Sequence, residues 1–144
     1  MTGPTPQLPQ VRPVDVDTGF WLWLAALPLM VIGYAADLLT APIQGGRTAA
    51  SMLVYVAAGL FAVVICAITV TFLILMRAGY RWARTLVSGG GLATVGYVAI
   101  RLFTVNWPPV WAVICAATGI VGSVLIVGGV VLVHRKDAHA YFTR

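Results

Sequence analysis

The sequence predicts an all-α polytopic membrane protein, a bundle of four transmembrane helices with both termini on the cytoplasmic side. Its 144 residues are 60% hydrophobic and only 9% charged, whereas a soluble domain typically carries about 25% charged residues. The mean hydropathy is +0.95, and four apolar runs each reach the ~20 residues that cross a bilayer core. Because a chain this apolar could not cover its own surface in water, lipid must surround most of it.

The predicted transmembrane domain covers residues 20–133 and lies between two polar tails. Four prolines in the first tail, residues 1–19, favour extended conformations, and this tail has too little apolar surface to fold alone. We therefore expect a flexible, proline-rich cytoplasmic tail there and a second cytoplasmic tail at residues 134–144. The predicted spans are residues 20–39, 50–76, 86–105 and 110–133.

The basic residues predict the orientation in the membrane. Seven of the nine fall in the two tails or between spans two and three, while only Arg47 and Arg101 fall on the other side. Cytoplasmic connections carry the excess of Lys and Arg, so both termini are predicted to be cytoplasmic. The spans and this pattern indicate a multi-pass protein of the inner (plasma) membrane, and the eight Arg against one Lys, with many Ala, Val and Gly residues, suggest a bacterial source. Because the basic residues flank the spans, the net charge of +5 predicts contact with anionic lipid headgroups and no nucleic-acid partner.

A basic segment, residues 77–84, is the only dense charge cluster between long apolar runs. Arg77, Arg81 and Arg84 have the spacing i, i+4, i+7, so they would share one face if a helix continued through the segment. Trp82 lies among them, as expected at headgroup depth. Two interpretations stay open: binding of anionic lipids, or docking of an acidic cytoplasmic partner.

Two charges lie inside the predicted spans, and their positions predict an ion pair. Asp37 is about two residues from the outer end of span one, and Arg101 is about four from that of span three, so their depths differ by a few ångström. Tyr34 and Tyr97 share a helix face with these charges and are expected to add hydrogen bonds. Charges in a membrane usually pair or face water. The pair is therefore either a structural clamp or a polar entry for an ion, a substrate or a partner helix.

Small residues recur at every fourth position on two spans, which favours close helix packing. The two cysteines among them differ in depth by more than ~10 Å, too far for a disulfide, and both are interpreted as packing residues. We expect these faces to pack within the bundle, and self-association or a larger membrane protein is the alternative. The residues are Ala58, Ala62 and Cys66 on span two, and Cys115, Gly119 and Ser123 on span four.

No residue pattern predicts catalysis, a metal or a cofactor. General acid–base chemistry needs a positioned His, Asp or Glu, and within the spans only Asp37 meets that description. His134 and His139 lie beyond the last span and form a weak metal pattern, so a solvated tail is the preferred interpretation. We therefore expect a protein that is not an enzyme.

The segment Arg77-x-Gly79-x-x-Trp82-Ala83-Arg84 resembles an element of small four-span membrane proteins of actinobacteria. The proline-rich start and the aromatic pair near the end of the chain are similar as well. The resemblance implies a four-span topology and a bacterial source. It implies no activity and no catalytic residues.

The leading expectation is a non-catalytic accessory or scaffold subunit of a larger membrane complex. Small size, close-packing faces and a basic cytoplasmic segment are typical of such a subunit. The alternative is a small oligomeric transporter or channel with a polar site near Asp37 and Arg101. Four spans suit small multidrug transporters, but those need a carboxylate deep in span one, whereas Asp37 lies near its end.

Overall fold

Four α-helices make up the fold in the computed structural model, which describes residues 14–40 and 49–135. All four are long and apolar enough to cross a membrane, so the chain has the architecture of a polytopic membrane protein. No strand occurs within these two ranges. The helices are α1 (Val14–Thr40), α2 (Ala49–Arg77), α3 (Arg81–Thr104) and α4 (Pro109–Val133).

Helix α1 begins earlier than predicted. Residues 14–19, which the sequence placed in the flexible tail, form its first turns. Asp15 and Asp17 lie in the first turn, where negative charge is favourable at a helix N-terminus. Both carboxylates also pair with arginines, one at the end of α2 and one just after α4, which are described with the site below. Residues 1–13 of the predicted tail and the whole segment 136–144 lie outside the described residues.

A tight turn at residues 78–80 separates α2 from α3. Gly79 has a φ of 92°, a left-handed conformation that glycine adopts without steric cost. The Gly79 and Tyr80 amides donate to the carbonyls of Met76 (3.0 Å) and Leu75 (3.2 Å) and so close the turn. Helix α3 then begins at Arg81, five residues before the predicted start of span three. The basic segment is therefore not one continuous helix, so the condition for a single face shared by its three arginines is not met.

The helices form a ring in the order α1, α4, α3, α2. Each helix contacts its two neighbours in the ring, and α1 with α4 is the most extensive pair. The diagonal pairs, α1 with α3 and α2 with α4, have no close backbone approach. We call the end of the ring that holds the start of α1 and the end of α4 the terminal end, and the other the far end.

Glycines allow the close packing of α1 against α4. A Cβ added at Gly129 would lie 2.3 Å from Cδ1 of Trp23, and one at Gly19 would lie 2.8 Å from Cγ2 of Val133. Gly122 has a side chain of α1 at a similarly short distance. Small interface residues let helix backbones approach in lipid, where van der Waals packing drives association. None of these three glycines belongs to the predicted small-residue faces.

Helix α2 is attached mainly at the terminal end. Leu73 and Met76 are its only buried side chains among those described, and both lie in its last two turns. The apolar core lies at the same end. Its buried residues are Val16, Phe20, Trp23, Ala26, Leu73, Met76, Ala83, Val87, Ile126 and Val133.

Candidate functional site

Asp37 and Arg101 form an ion pair across the ring at the far end. Nη2 of Arg101 donates to both carboxylate oxygens of Asp37. Trp107, in the turn after α3, donates from Nε1 to Oδ1 of Asp37 at 3.1 Å. The Arg101 and Asp37 side chains keep 35% and 21% of their surface exposed, so the pair is sheltered but reachable. The carboxylate thus has three donated hydrogen bonds.

The aromatic partner of the pair differs from the one expected. Tyr34 and Tyr97 both line the cleft beside the pair, yet neither hydroxyl hydrogen bonds to Asp37 or Arg101 within the described ranges. Trp107 takes that role instead. The sequence did hold one signal, because indole is a donor that needs an acceptor and Trp107 lies at the depth of Asp37.

A cleft of about 620 Å³ extends from the ion pair toward the terminal end. Helices α1, α2 and α3 line it, and Cys115, Gly119 and Ile126 of α4 form its back wall. Asp37 and Arg101 are at one end, and Trp23 is at the other. A second space of about 310 Å³ lies between α1 and α2 and shares four lining residues with the first. The shared residues are Val31, Tyr34, Ala62 and Cys66.

The walls of the cleft are apolar at mid-depth. The hydroxyl of Thr69 donates to the carbonyl of Ile65 (2.8 Å), and that of Thr94 donates to the carbonyl of Gly90 (2.9 Å). Both threonine donors are therefore used within their own helices. The polar groups that remain available in the cleft lie at its far end and include those of Asp37, Arg101 and Trp107.

The two predicted small-residue faces differ in their surroundings. On α4, Cys115 and Gly119 are buried, and a Cβ at Gly119 would lie 2.8 Å from Cγ1 of Val98 on α3. Ser123 of the same face is half-buried. On α2, Ala58, Ala62 and Cys66 are also half-buried, and the latter two line the cleft rather than a tight helix interface.

Arg77 forms a second ion pair, at the terminal end. Its Nε donates to Oδ1 of Asp17 at 2.9 Å, and its Nη2 lies 2.6 Å from the same oxygen. The guanidinium carbon lies 4.8 Å from the ring centroid of Phe20, within the range of a cation–π contact. A longer pair joins Arg135 to Asp15 at 3.6 Å. The start of α1 is thus linked to the ends of both α2 and α4.

The other residues of the basic segment differ in their exposure. Arg81 is exposed, while Arg84 is buried at the start of α3. Trp82 keeps 48% of its surface exposed and packs edge-on against Phe72, with ring centroids 5.6 Å apart. Arg81 and Trp82 therefore form an outward edge at the terminal end, which we call the basic edge.

The remaining candidate residues form no reactive cluster within the described ranges. Cys66 and Cys115 are both free thiols, and no group of three His, Cys, Asp or Glu side chains is placed to hold a metal ion there. Nδ1 of His134 lies 2.9 Å from the carbonyl of Val130, one turn back. His139 lies outside the described residues.

No protein-family model matches this chain, and neither a curated protein nor a solved structure matches it.

Proposed function

We propose that this chain is a non-catalytic accessory or scaffold subunit of a larger complex in a bacterial plasma membrane, with both termini in the cytoplasm. The observation that carries the proposal is the weak attachment of α2, whose buried side chains, among those the structure describes, are confined to its terminal end. Among the described residues, Asp37 is the only carboxylate at the cleft, and it is engaged by Arg101 and Trp107. A general acid or base would need that group available for proton transfer.

The loose packing of α2 supports a partner helix in the membrane. Lipid tails are as apolar as Leu, so helices associate in a bilayer through close van der Waals packing and hydrogen bonds. Over residues 51–70, α2 makes little of that packing with its own bundle, since no side chain there is buried. A helix of a larger membrane protein, or of a second copy, would supply the missing contacts along this surface.

The basic edge supports a role at the cytoplasmic headgroup layer. Arg81 and Trp82 point outward, and a basic residue near an anionic surface contributes about 1 kcal/mol of attraction. Arg77 contributes less, because Asp17 already holds its guanidinium. Anionic lipids are therefore the partner we propose for this edge, and an acidic protein surface is the alternative.

Purification from native membranes in a mild detergent tests the proposal. We expect the chain to co-purify stoichiometrically with a larger membrane protein, identified by mass spectrometry and by native sizing. Leu60→Ala and Phe61→Ala should weaken that association, because both side chains are exposed on α2. The same type of change at Phe103, which is exposed on α3, is the matched control. A lone monomer in every mild detergent would refute the subunit role.

A small oligomeric transporter or channel is the second candidate. The observation that favours it is the position of Asp37 and Arg101 at the head of the cleft. A coupling carboxylate must exchange a proton or a cation, and here both oxygens of Asp37 accept from Arg101. Unchanged uptake or efflux of cationic compounds by Asp37→Asn cells would remove this candidate, and loss of transport with a normal protein level would support it.

A further inference from the structure

We infer that the cleft is a lipid-binding site, which holds the hydrocarbon chain of an amphiphile with its anionic oxygen head beside Arg101. The inference does not rest on the accessory-subunit proposal, because it depends only on the shape and chemistry of the cleft. Protein interiors are packed nearly as tightly as organic crystals. In a bilayer, a laterally accessible apolar space of about 620 Å³ is therefore filled by hydrocarbon.

The length of the cleft fits a long hydrocarbon chain. From Trp23 to Asp37 the cleft follows α1 for fourteen residues, or about 21 Å at 1.5 Å per residue. Ligand sites are typically about 300–1,000 Å³, so the volume is in the usual range.

The wall of the cleft is suited to hydrocarbon rather than to an ion or a sugar. The threonine donors at mid-depth are used by their own helix backbones. The other lining side chains at that depth are aliphatic, aromatic or very small, including Met30, Ala62 and Gly90. A polar solute would lose hydration along this path without gaining hydrogen bonds in return.

Arg101, at the far end of the cleft, is the residue that would bind the anionic head of the amphiphile. Arg101 uses Nη2 for both of its bonds to Asp37, and its side chain keeps 35% of its surface exposed. A phosphate or carboxylate oxygen would accept from the exposed part of the guanidinium, while Trp107 and Arg101 offset the negative charge of Asp37.

A side opening gives a chain access from the bilayer. The smaller space between α1 and α2 shares Val31, Tyr34, Ala62 and Cys66 with the cleft. Because α2 packs tightly only at the terminal end, the two helices are least tightly joined where this opening lies. A lipid can therefore enter sideways without leaving the hydrocarbon layer.

Two adjacent glycines of α3 provide a matched pair of variants. A Cβ added at Gly89 or at Gly90 would meet nothing within 4 Å, so neither change creates a clash at that atom. Gly90 lines the cleft and Gly89 does not. Gly90→Leu thus adds a side chain inside the cleft, and Gly89→Leu adds the same side chain outside it.

The test is native mass spectrometry of the delipidated full-length chain titrated with hexadecyl phosphate. We expect the wild type and Gly89→Leu to retain about one molecule per chain, and Gly90→Leu to retain it at least about tenfold more weakly. Equal retention by all three proteins would overturn the inference. A polypeptide retained by the wild type in place of lipid would overturn it in favour of a helix.

Two further probes keep the test decisive if Gly90→Leu fails to fold, as judged by circular dichroism and sizing. The wild type should prefer hexadecyl phosphate about tenfold over octyl phosphate, because a short chain leaves part of the cleft uncovered. It should also prefer hexadecyl phosphate over hexadecyl maltoside, whose head lacks the charge that Arg101 recognises. Equal retention of the three amphiphiles would show adsorption without a site.

Discussion

Asp37 of α1 and Arg101 of α3 are joined by an ion pair across two helices that do not otherwise approach each other closely. Trp107 gives the carboxylate a third donated hydrogen bond, at 3.1 Å. Near the same ends, α1 and α2 are separated by the side opening of the cleft. The pair therefore fixes the spacing of α1 and α3 where helix packing alone does not.

Breaking this pair should destabilise the bundle. Asp37→Asn removes the charge that balances Arg101, and we expect a loss of about 1–2 kcal/mol, as for the stronger interhelical hydrogen bonds in membranes. Arg101→Gln should cost at least as much, because it leaves the Asp37 carboxylate without a counter-charge inside the membrane. Thermal unfolding of the detergent-solubilised protein, followed by circular dichroism, measures both changes.

The charge-swapped double variant, Asp37→Arg with Arg101→Asp, separates pairing from simple loss of charge. It should recover part of the lost stability but not all of it, since the indole N–H of Trp107 cannot donate to an arginine. A double variant as unstable as the sum of the two single charge reversals would contradict a direct interaction between these side chains.

The three glycines at the start of α3 should respond differently to alanine. A Cβ at Gly91 would lie 2.1 Å from Cη2 of Trp23, whereas one at Gly89 or Gly90 would meet nothing within 4 Å. We expect Gly91→Ala to destabilise by about 1–3 kcal/mol through overpacking. Gly89→Ala should stabilise the helix by roughly 0.5–1 kcal/mol through the lower entropy of the unfolded chain.

Thermal melts of these single variants in one detergent give the comparison directly. Gly91→Ala combined with Trp23→Phe supplies a control, because the smaller ring removes the Trp23 atoms that the new methyl group meets, while Cγ2 of Ile126 stays at 2.8 Å. The Gly91→Ala penalty should shrink in that background. An equal penalty in both backgrounds would mean that the strain does not arise from Trp23.

The ion pair of Asp37 and Arg101 could be predicted from the sequence, because the order and lengths of the helices alone place both residues at a similar depth in the membrane. The start of α1 could not be predicted in the same way. The partner of Asp17 is Arg77, sixty residues later, and no local pattern reveals such a contact. The cleft could not be predicted from the sequence either, because an apolar residue that faces lipid and one that faces a neighbouring helix have the same hydropathy.

The Asp17–Arg77 pair should contribute little at high salt. The side chains of Asp17 and Arg77 are 39% and 34% exposed. Exposed ion pairs typically contribute about 0–1 kcal/mol to stability. Asp17→Asn should therefore lower the unfolding free energy by less than about 1 kcal/mol, and the difference from wild type should fall as salt screens the charges.

Arg77→Lys offers a sharper comparison at the same site. Lysine keeps the charge but loses the two-point contact through Nε and Nη2 and the guanidinium contact with the Phe20 ring. We expect it to be at least as destabilising as Asp17→Asn. A lysine variant indistinguishable from wild type in low salt would show that charge alone matters here.

The charge distribution makes a prediction about orientation. A fluorescent protein that folds only in the cytoplasm should be bright when fused after Arg144, and a phosphatase active only outside should be inactive there. Insertion of the same reporters beside Asn106, in the turn between α3 and α4, should give the opposite pattern. The physical reason is the seven basic residues on the terminal side against two on the other.

Replacing Arg81 with Glu should reduce the bias in orientation with little effect on packing, because Arg81 is exposed. Arg77→Glu would also place two carboxylates together at Asp17. An active phosphatase after Arg144 in the unmodified chain would reverse the proposed orientation and place the Asp37–Arg101 end of the cleft in the cytoplasmic leaflet.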